Sequence, residues 1–269
     1  MSTVNLSYSK WDPNGNITLF LSANAVAQTD QAQVAKQALT TKGLEAEQVG
    51  FIDCHTNTLR MAGGEFCLNA TTAFAAHLQL QQSKPALQGL HLNVCGFHGA
   101  ITAHTHKIAS KSVEVILSLH LEQTTVKQIT DSISIVELPS ITHVLIHGQP
   151  PTDAEALLLN LIDLHHLETC PCVGVVWWNN CPEIDTYAIT PLVYVRDVHT
   201  TIWEQACGSG SLALTLCLDN MHPGCMQIPK HIVQPSQGRI TCSYDHATHT
   251  AICKSTAHLM QEGSVTLTI

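Results

Sequence analysis

Apolar positions change their spacing several times along this chain, and each change marks an element. Residues 4–21 mix β-favouring residues around the polar stretch Asp12-Pro13-Asn14-Gly15-Asn16, which predicts a β-hairpin. Residues 23–41 are rich in Ala and Gln, with apolar residues at Val26, Val34 and Leu39, and predict a helix that Gly43 ends. Short strands are expected at 49–54 and 58–61. After Gly63-Gly64 comes a helix from Cys67 to about Gln82, and beyond Pro85 lie strand-like runs at 90–95, 100–104 and 113–121. A second cycle then begins. Strands at 133–138 and 142–146 lead into a helix at 151–167, a buried strand at 173–178, and strands at 192–196 and 201–204. A helix over 209–220 and strands at 239–243, 251–254 and 264–269 complete it.

Both cycles run strands, helix, strands, cysteine, helix, strands, an internal repeat of roughly 130 residues. Two similar α/β domains with a cleft between them fit this pattern. Composition narrows the setting. Hydrophobic residues make up 45% of the 269 positions, enough for a sizeable core, and the formal net charge of −9 argues against a nucleic-acid surface or an anionic membrane. The first residues lack the basic and apolar regions of a secretory leader, and the apolar run at 172–178 is too short to span a bilayer, so a cytoplasmic protein is expected. The 11 cysteines are odd in number and scattered, unlike the framework of a small secreted domain. The 17 histidines are equally dispersed.

Two of the cysteines differ from the rest. Cys67-Leu68-Asn69-Ala70 and Cys207-Gly208-Ser209-Gly210 each lead directly into an apolar run of helical length. A thiol at that position faces free backbone N–H groups and the positive end of the helix dipole, which favour the thiolate. Inverting a carbon next to a carboxylate needs a base on one face and an acid on the other. Two such thiols would serve, with helix N-termini stabilising the carboxylate as carbanion charge develops. A lone cysteine at a helix start is more often a packing residue; the matched pair is what favours chemistry.

At these residues the chain resembles the cofactor-independent amino-acid racemases and epimerases of the diaminopimelate epimerase type. Ala206-Cys207-Gly208-Ser209-Gly210 is similar to the family's Ala-Cys-Gly-(Thr/Ser)-Gly, and Cys67-Leu68-Asn69-Ala70 more loosely to its Cys-Gly-Asn-(Gly/Ala). Gly15-Asn16 and Glu47-Gln48 resemble further family segments in the same order. The resemblance implies an α/β (α+β) fold of two pseudo-symmetric domains, each with strands around a central helix and the active site in the interdomain cleft. The expected domains are residues 1–125, with a returning strand at 258–269, and residues 126–257. It further implies Cys67 and Cys207 as the catalytic acid–base pair and no cofactor. Asn16, Gln48 and Asn69, with the backbone of Leu68, Gly208 and Ser209, would hold the substrate backbone.

Departures from the pattern bear on the substrate. Gly148-Gln149-Pro150 stands for Gly-Asn-Pro, Val173-Gly174-Val175-Val176 for Val-Asn-Val-Glu, and Val198-His199 for Glu-Arg. Losing these polar contacts weakens selection of a second charged centre. The chain looks most like the family's histidine racemases, which supply D-histidine for opine-type metallophores, with Glu47 a candidate partner for the imidazole. Trp203 and Glu204 are further candidates for the pocket wall. The alternatives are a diaminopimelate epimerase or a racemase of another amino acid. From a different class, a Cys/His metal-binding module would use His104, His106, His165, His166, Cys170, Cys172 and Cys181, but lacks paired knuckle spacing. The expected partner is a small amino-acid substrate, with no nucleic acid and no membrane; a homodimer is a candidate assembly.

Overall fold

The two cysteine-led apolar runs fold as helices in the computed structural model, which describes residues 3–82, 89–121, 124–196, 199–222 and 227–268. The punctuation read at Pro85 and the departure read at Val198 lie outside the described residues. The chain divides into two compact units, Met1–Ser118 with Lys254–Ile269, and Leu119–Cys253.

In the first unit, β1 (Thr3–Asp12) and β2 (Thr18–Ser22) form an antiparallel hairpin. Helix α1 (Gln31–Thr40) crosses to β3 (Gln48–Asp53), which lies parallel to β2 and antiparallel to β4 (Thr58–Met61). Helix α2 (Leu68–Gln81) leads to β5 (Leu90–Val94), parallel to β4, and then to β6 (Ile101–Ala109) and β7 (Ser112–His120). The chain's last strand, numbered β16 (Thr250–Thr268), pairs with β7 and with β1 and so closes this unit's strands into a ring. Twelve of the fourteen residues of α2 are buried, as an all-round apolar helix requires. His77 anchors it by a hydrogen bond to Ser9 on β1, and Gln79 by accepting one from Thr105 on β6.

The second unit repeats the plan. After β8 (Thr125–Gln128), β9 (Ile133–Leu138) and β10 (Ile141–His147) form the hairpin, and α3 (Ala154–Leu164) crosses to β11 (Cys172–Asn180), parallel to β10. Then β12 (Thr186–Val195) runs antiparallel to β11, β13 (Thr200–Trp203) pairs beside it, and α4 (Gly208–Met221) follows. Next come β14 (Lys230–Val233), parallel to β12, and β15 (Arg239–Asp245), antiparallel to β14. The antiparallel, parallel, antiparallel, parallel, antiparallel order of pairings is thus the same in both units. Eleven of the fourteen residues of α4 are buried, and Asp219 near its end forms a buried ion pair with Lys230 of β14.

Three expectations change. Residues 23–30 form two 3-10 turns rather than the start of α1, because Val26 adopts an extended backbone (φ −136°, ψ 124°) between them and breaks the helix. The strand-like run at 251–254 and the described part of the run at 264–269 belong to one continuous strand, β16, whose exposed segment 260–264 carries no alternating signal. The short strands β8 and β14 and the first half of β12 are additional.

Candidate active site

Cys67 is the N-cap of α2. Its extended backbone (φ −126°, ψ 113°) lets Sγ turn back and accept the Ala70 N–H at 3.5 Å, while its carbonyl accepts the Thr71 N–H and hydroxyl. Sulfur thus occupies the place of the usual hydroxyl or carboxylate cap. The Cys67 thiol donates to Gln48 Oε1 at 3.4 Å, Gln48 Nε2 donates to Thr18 Oγ1 at 2.7 Å, and Thr18 Oγ1 donates to the Asn16 carbonyl at 3.1 Å. One hydrogen-bonded chain therefore joins Cys67, Gln48 and Asn16. The turn before Asn16 uses left-handed backbone at Asn14 and Gly15, and the Gly15 N–H donates to Asp12. Leu68 and Asn69, both buried, precede the first helical hydrogen bond, Thr71 N–H to Cys67 carbonyl, so their N–H groups lie outside the helix ladder. Glu47 is fixed through its backbone N–H to Ile17; desolvation and then the charge of Asp12 push its carboxyl pKa up, against a backbone hydrogen bond from Ile17. Glu65, two residues before Cys67, also has a raised carboxyl pKa through burial.

Cys207 caps α4 in the same way. Its backbone is extended (φ −131°, ψ 101°), Sγ accepts the Gly210 N–H at 3.3 Å, and its carbonyl accepts the Ser211 N–H and hydroxyl. A Cβ on Gly210 would stand 3.1 Å from Sγ, which accounts for the last glycine of Cys-Gly-Ser-Gly. Gly208 and Ser209 precede the first helical hydrogen bond, as Leu68 and Asn69 do. Ser209 Oγ lies 3.6 Å from Cys207 Sγ and 2.9 Å from Nε2 of His143. Buried Gln234 accepts the Cys207 N–H at 2.9 Å and donates to Ser211 Oγ and to the Ile232 carbonyl.

The residues predicted from sequence therefore gather into two groups. Asn16, Gln48, Leu68 and Asn69 surround the Cys67 cap, and Gly208 and Ser209 begin the helix at Cys207. Glu47 stands beside Gln48 at the entry to β3. Trp203 is 42% exposed and stacks on buried Trp177, while the Glu204 N–H bonds to Pro191. Sequence reasoning missed Gln234 and His143. Gln234 follows directly on β14 and His143 lies on β10; they meet Cys207 over 27 residues and, through Ser209, over 66. Among the described residues, no group of three or more His, Cys, Asp or Glu is placed to hold a metal ion. No helix among them is long and apolar enough to cross a membrane.

Comparison with known proteins bears on the family and the fold. A histidine racemase of Fusobacterium nucleatum is 28% identical over 244 residues, covering 86% of each chain, and one of Staphylococcus aureus is 25% identical over 222 residues, covering 78% of each. Among solved structures, a phenazine biosynthesis protein of the PhzF family from Bacillus anthracis superposes with a TM-score of 0.68 over 98% of this chain and 99% of its own, at 11% identity. A hydroxyproline epimerase from Agrobacterium vitis, solved with trans-4-hydroxy-L-proline, gives 0.59 over 98% and 91%, at 10% identity. These place the fold among the epimerase-like α/β proteins. The family model described as the histidine racemase CntK N-terminal domain matches residues 5–265, across both units, and the chain belongs to that family.

Proposed function

We propose that this protein is a histidine racemase that inverts Cα by two-thiol acid–base chemistry without a cofactor. One observation carries the mechanism: a cysteine sulfur caps the central helix of each unit, at equivalent points of one repeated plan. One sulfur, as thiolate, takes the Cα proton; the electron pair left on Cα is delocalised into the carboxylate. The other thiol delivers its proton to the opposite face, and the two sulfurs exchange protonation states. The unladdered N–H groups of Leu68, Asn69, Gly208 and Ser209, with Asn16 and Gln48, are suited to hold the carboxylate and amino group. Glu47, with its raised carboxyl pKa, is the proposed partner of the imidazole N–H. The D-histidine formed would feed the assembly of a metal-chelating metabolite in the cytoplasm, and a homodimer is the proposed assembly.

The reading is tested in heavy water with purified protein and L-histidine, following circular dichroism and Cα deuterium together. The expected result is inversion with one solvent deuteron gained per turnover, unaffected by dialysis against a chelator. Cys67→Ser and Cys207→Ser variants that invert histidine as fast as the parent protein would overturn the mechanism. Faster turnover of another amino acid in the same assay would overturn the substrate.

A further inference from the structure

His143 has a use that the two-thiol reaction does not explain. It lies on β10 with no exposed surface, and burial pushes its pKa down to about 3, so the ring is neutral and carries one proton. Nε2 meets Ser209 Oγ at 2.9 Å, and Nδ1 has no hydrogen-bond partner. The reason is steric. His143 stands opposite Gly174 of β11, where a Cβ would come within 2.3 Å of Nδ1. The glycine makes room for the ring and offers it nothing polar.

This arrangement selects a tautomer. A proton on Nδ1 would be a buried donor without an acceptor, whereas a proton on Nε2 is used in the bond to Ser209 and leaves Nδ1 as an idle lone pair. With Nε2–H donating to Ser209 Oγ, the Ser209 hydroxyl proton must point elsewhere, and Cys207 Sγ lies within reach at 3.6 Å. A hydroxyl donating to sulfur favours thiolate over thiol. Of the other ionisable groups on the elements around α4, Lys127, Glu137 and Arg239 are exposed, Asp219 pairs with Lys230, Tyr244 bonds to His249, Asp245 accepts from Ala247 and Thr248, His147 packs on Trp178, and Cys242 lies against Cys253.

We propose that His143 is a positioning residue for Cys207: through Nε2–H it fixes the Ser209 hydroxyl so that its proton is donated to the Cys207 sulfur, poising Cys207 as the proton acceptor. This rests on the reading of Cys207 as an acid–base thiol. The test needs no substrate, so it fails or succeeds apart from racemisation. In a Cys67→Ala background, alkylation of Cys207 by iodoacetamide is followed by peptide mass spectrometry as a function of pH. Ser209→Ala keeps the backbone N–H and removes the hydroxyl; the midpoint should rise by about one pH unit, the size expected for one hydrogen bond to a charged group. His143→Phe should raise it similarly. An unmoved or lowered midpoint in the folded Ser209→Ala variant would overturn the proposal. Because His143→Phe alters a buried site, the tautomer is also read in the parent protein by long-range nitrogen-15 NMR of the imidazole. An Nε2–H spectrum is expected, and an Nδ1–H spectrum overturns the relay.

Discussion

Cys67 and Cys207 have nearly the same backbone angles, accept the same third-residue N–H and pass the same carbonyl to the next hydroxyl residue, Thr71 or Ser211. Their side-chain neighbours differ. Cys67 points its thiol at the carbonyl oxygen of Gln48, a group that can only accept a hydrogen bond, whereas Cys207 meets the hydroxyl of Ser209, which can donate one. The repeat supplies two equivalent helix ends, and local polar groups make them chemically unequal: the Gln48 oxygen favours a thiol at Cys67, and the Ser209 hydroxyl, oriented as proposed above, favours a thiolate at Cys207. A racemase must still run through both states, so the bias has to be small enough to reverse at each turnover.

The largest effect that tests this comparison is kinetic. Each Cys→Ser variant should lose at least ~100-fold in inversion, the usual contribution of a positioned acid or base. With one thiol left, each should still exchange the Cα hydrogen of a single enantiomer in heavy water, opposite ones for Cys67→Ser and Cys207→Ser. Exchange of the same enantiomer by both would break the assignment of opposite faces.

The next effect concerns how each helix is anchored. The end of α4 is held by the Asp219–Lys230 ion pair and the end of α2 by neutral bonds of His77 and Gln79. Lys230→Met leaves a buried carboxylate unpaired and should cost about 3–5 kcal/mol of stability. Gln79→Leu should cost about 1 kcal/mol. Denaturant unfolding of both variants checks the contrast, and equal losses would remove it.

Smaller differences follow at the caps themselves. Gln234→Ala strips the Cys207 N–H of its acceptor and should destabilise by ~1–3 kcal/mol in the same unfolding assay. Gln48→Leu acts on the sulfur of Cys67 and should lower its alkylation midpoint toward that of Cys207. In the parent protein Cys207 should show the lower midpoint of the two.

A further effect is in the pH dependence of folding. Burial holds His77 near pKa 4 and His143 near 3, against 6.5 for the free side chain. The unfolded chain therefore binds protons that the folded one refuses. The stability from neutral burial is complete above pH 6.5 and is lost as pH falls toward 4 for His77 and 3 for His143. Melting temperature should drop from pH 7 to 5, with a shallower drop in His77→Phe.

Much of this frame was legible in the sequence, for physical reasons. A helix buried on all sides needs a long apolar run, and a cap needs a residue able to accept an N–H, so α2, α4 and their cysteines stood out. The repeat followed from the order of elements. Residues 23–30 misled because Ala and Gln favour helix on average, while Val26 is held extended. The four-residue strands β8 and β14 are too short to show a period, and β8 has little buried surface. The candidate site was legible where motifs carry it, at Asn16, Gln48 and the two cysteines. His143 reads as one polar residue in an apolar strand, and only strand register sets it beside Gly174 and under Ser209. Gly174 itself was read as a lost polar contact; its missing Cβ is what admits the imidazole.

The last strand carries a consequence for how the molecule is made. All of Leu119–Cys253 is contiguous, so the pairings from β8 to β15 form within one stretch of chain. The N-terminal strand β1, synthesised first, has to wait for Thr268 through His258 before its second edge is covered. The first half of the protein to be translated is therefore the last to close. Until then β1 offers a bare β edge to any chain nearby, which makes nascent or C-terminally clipped molecules the aggregation-prone ones.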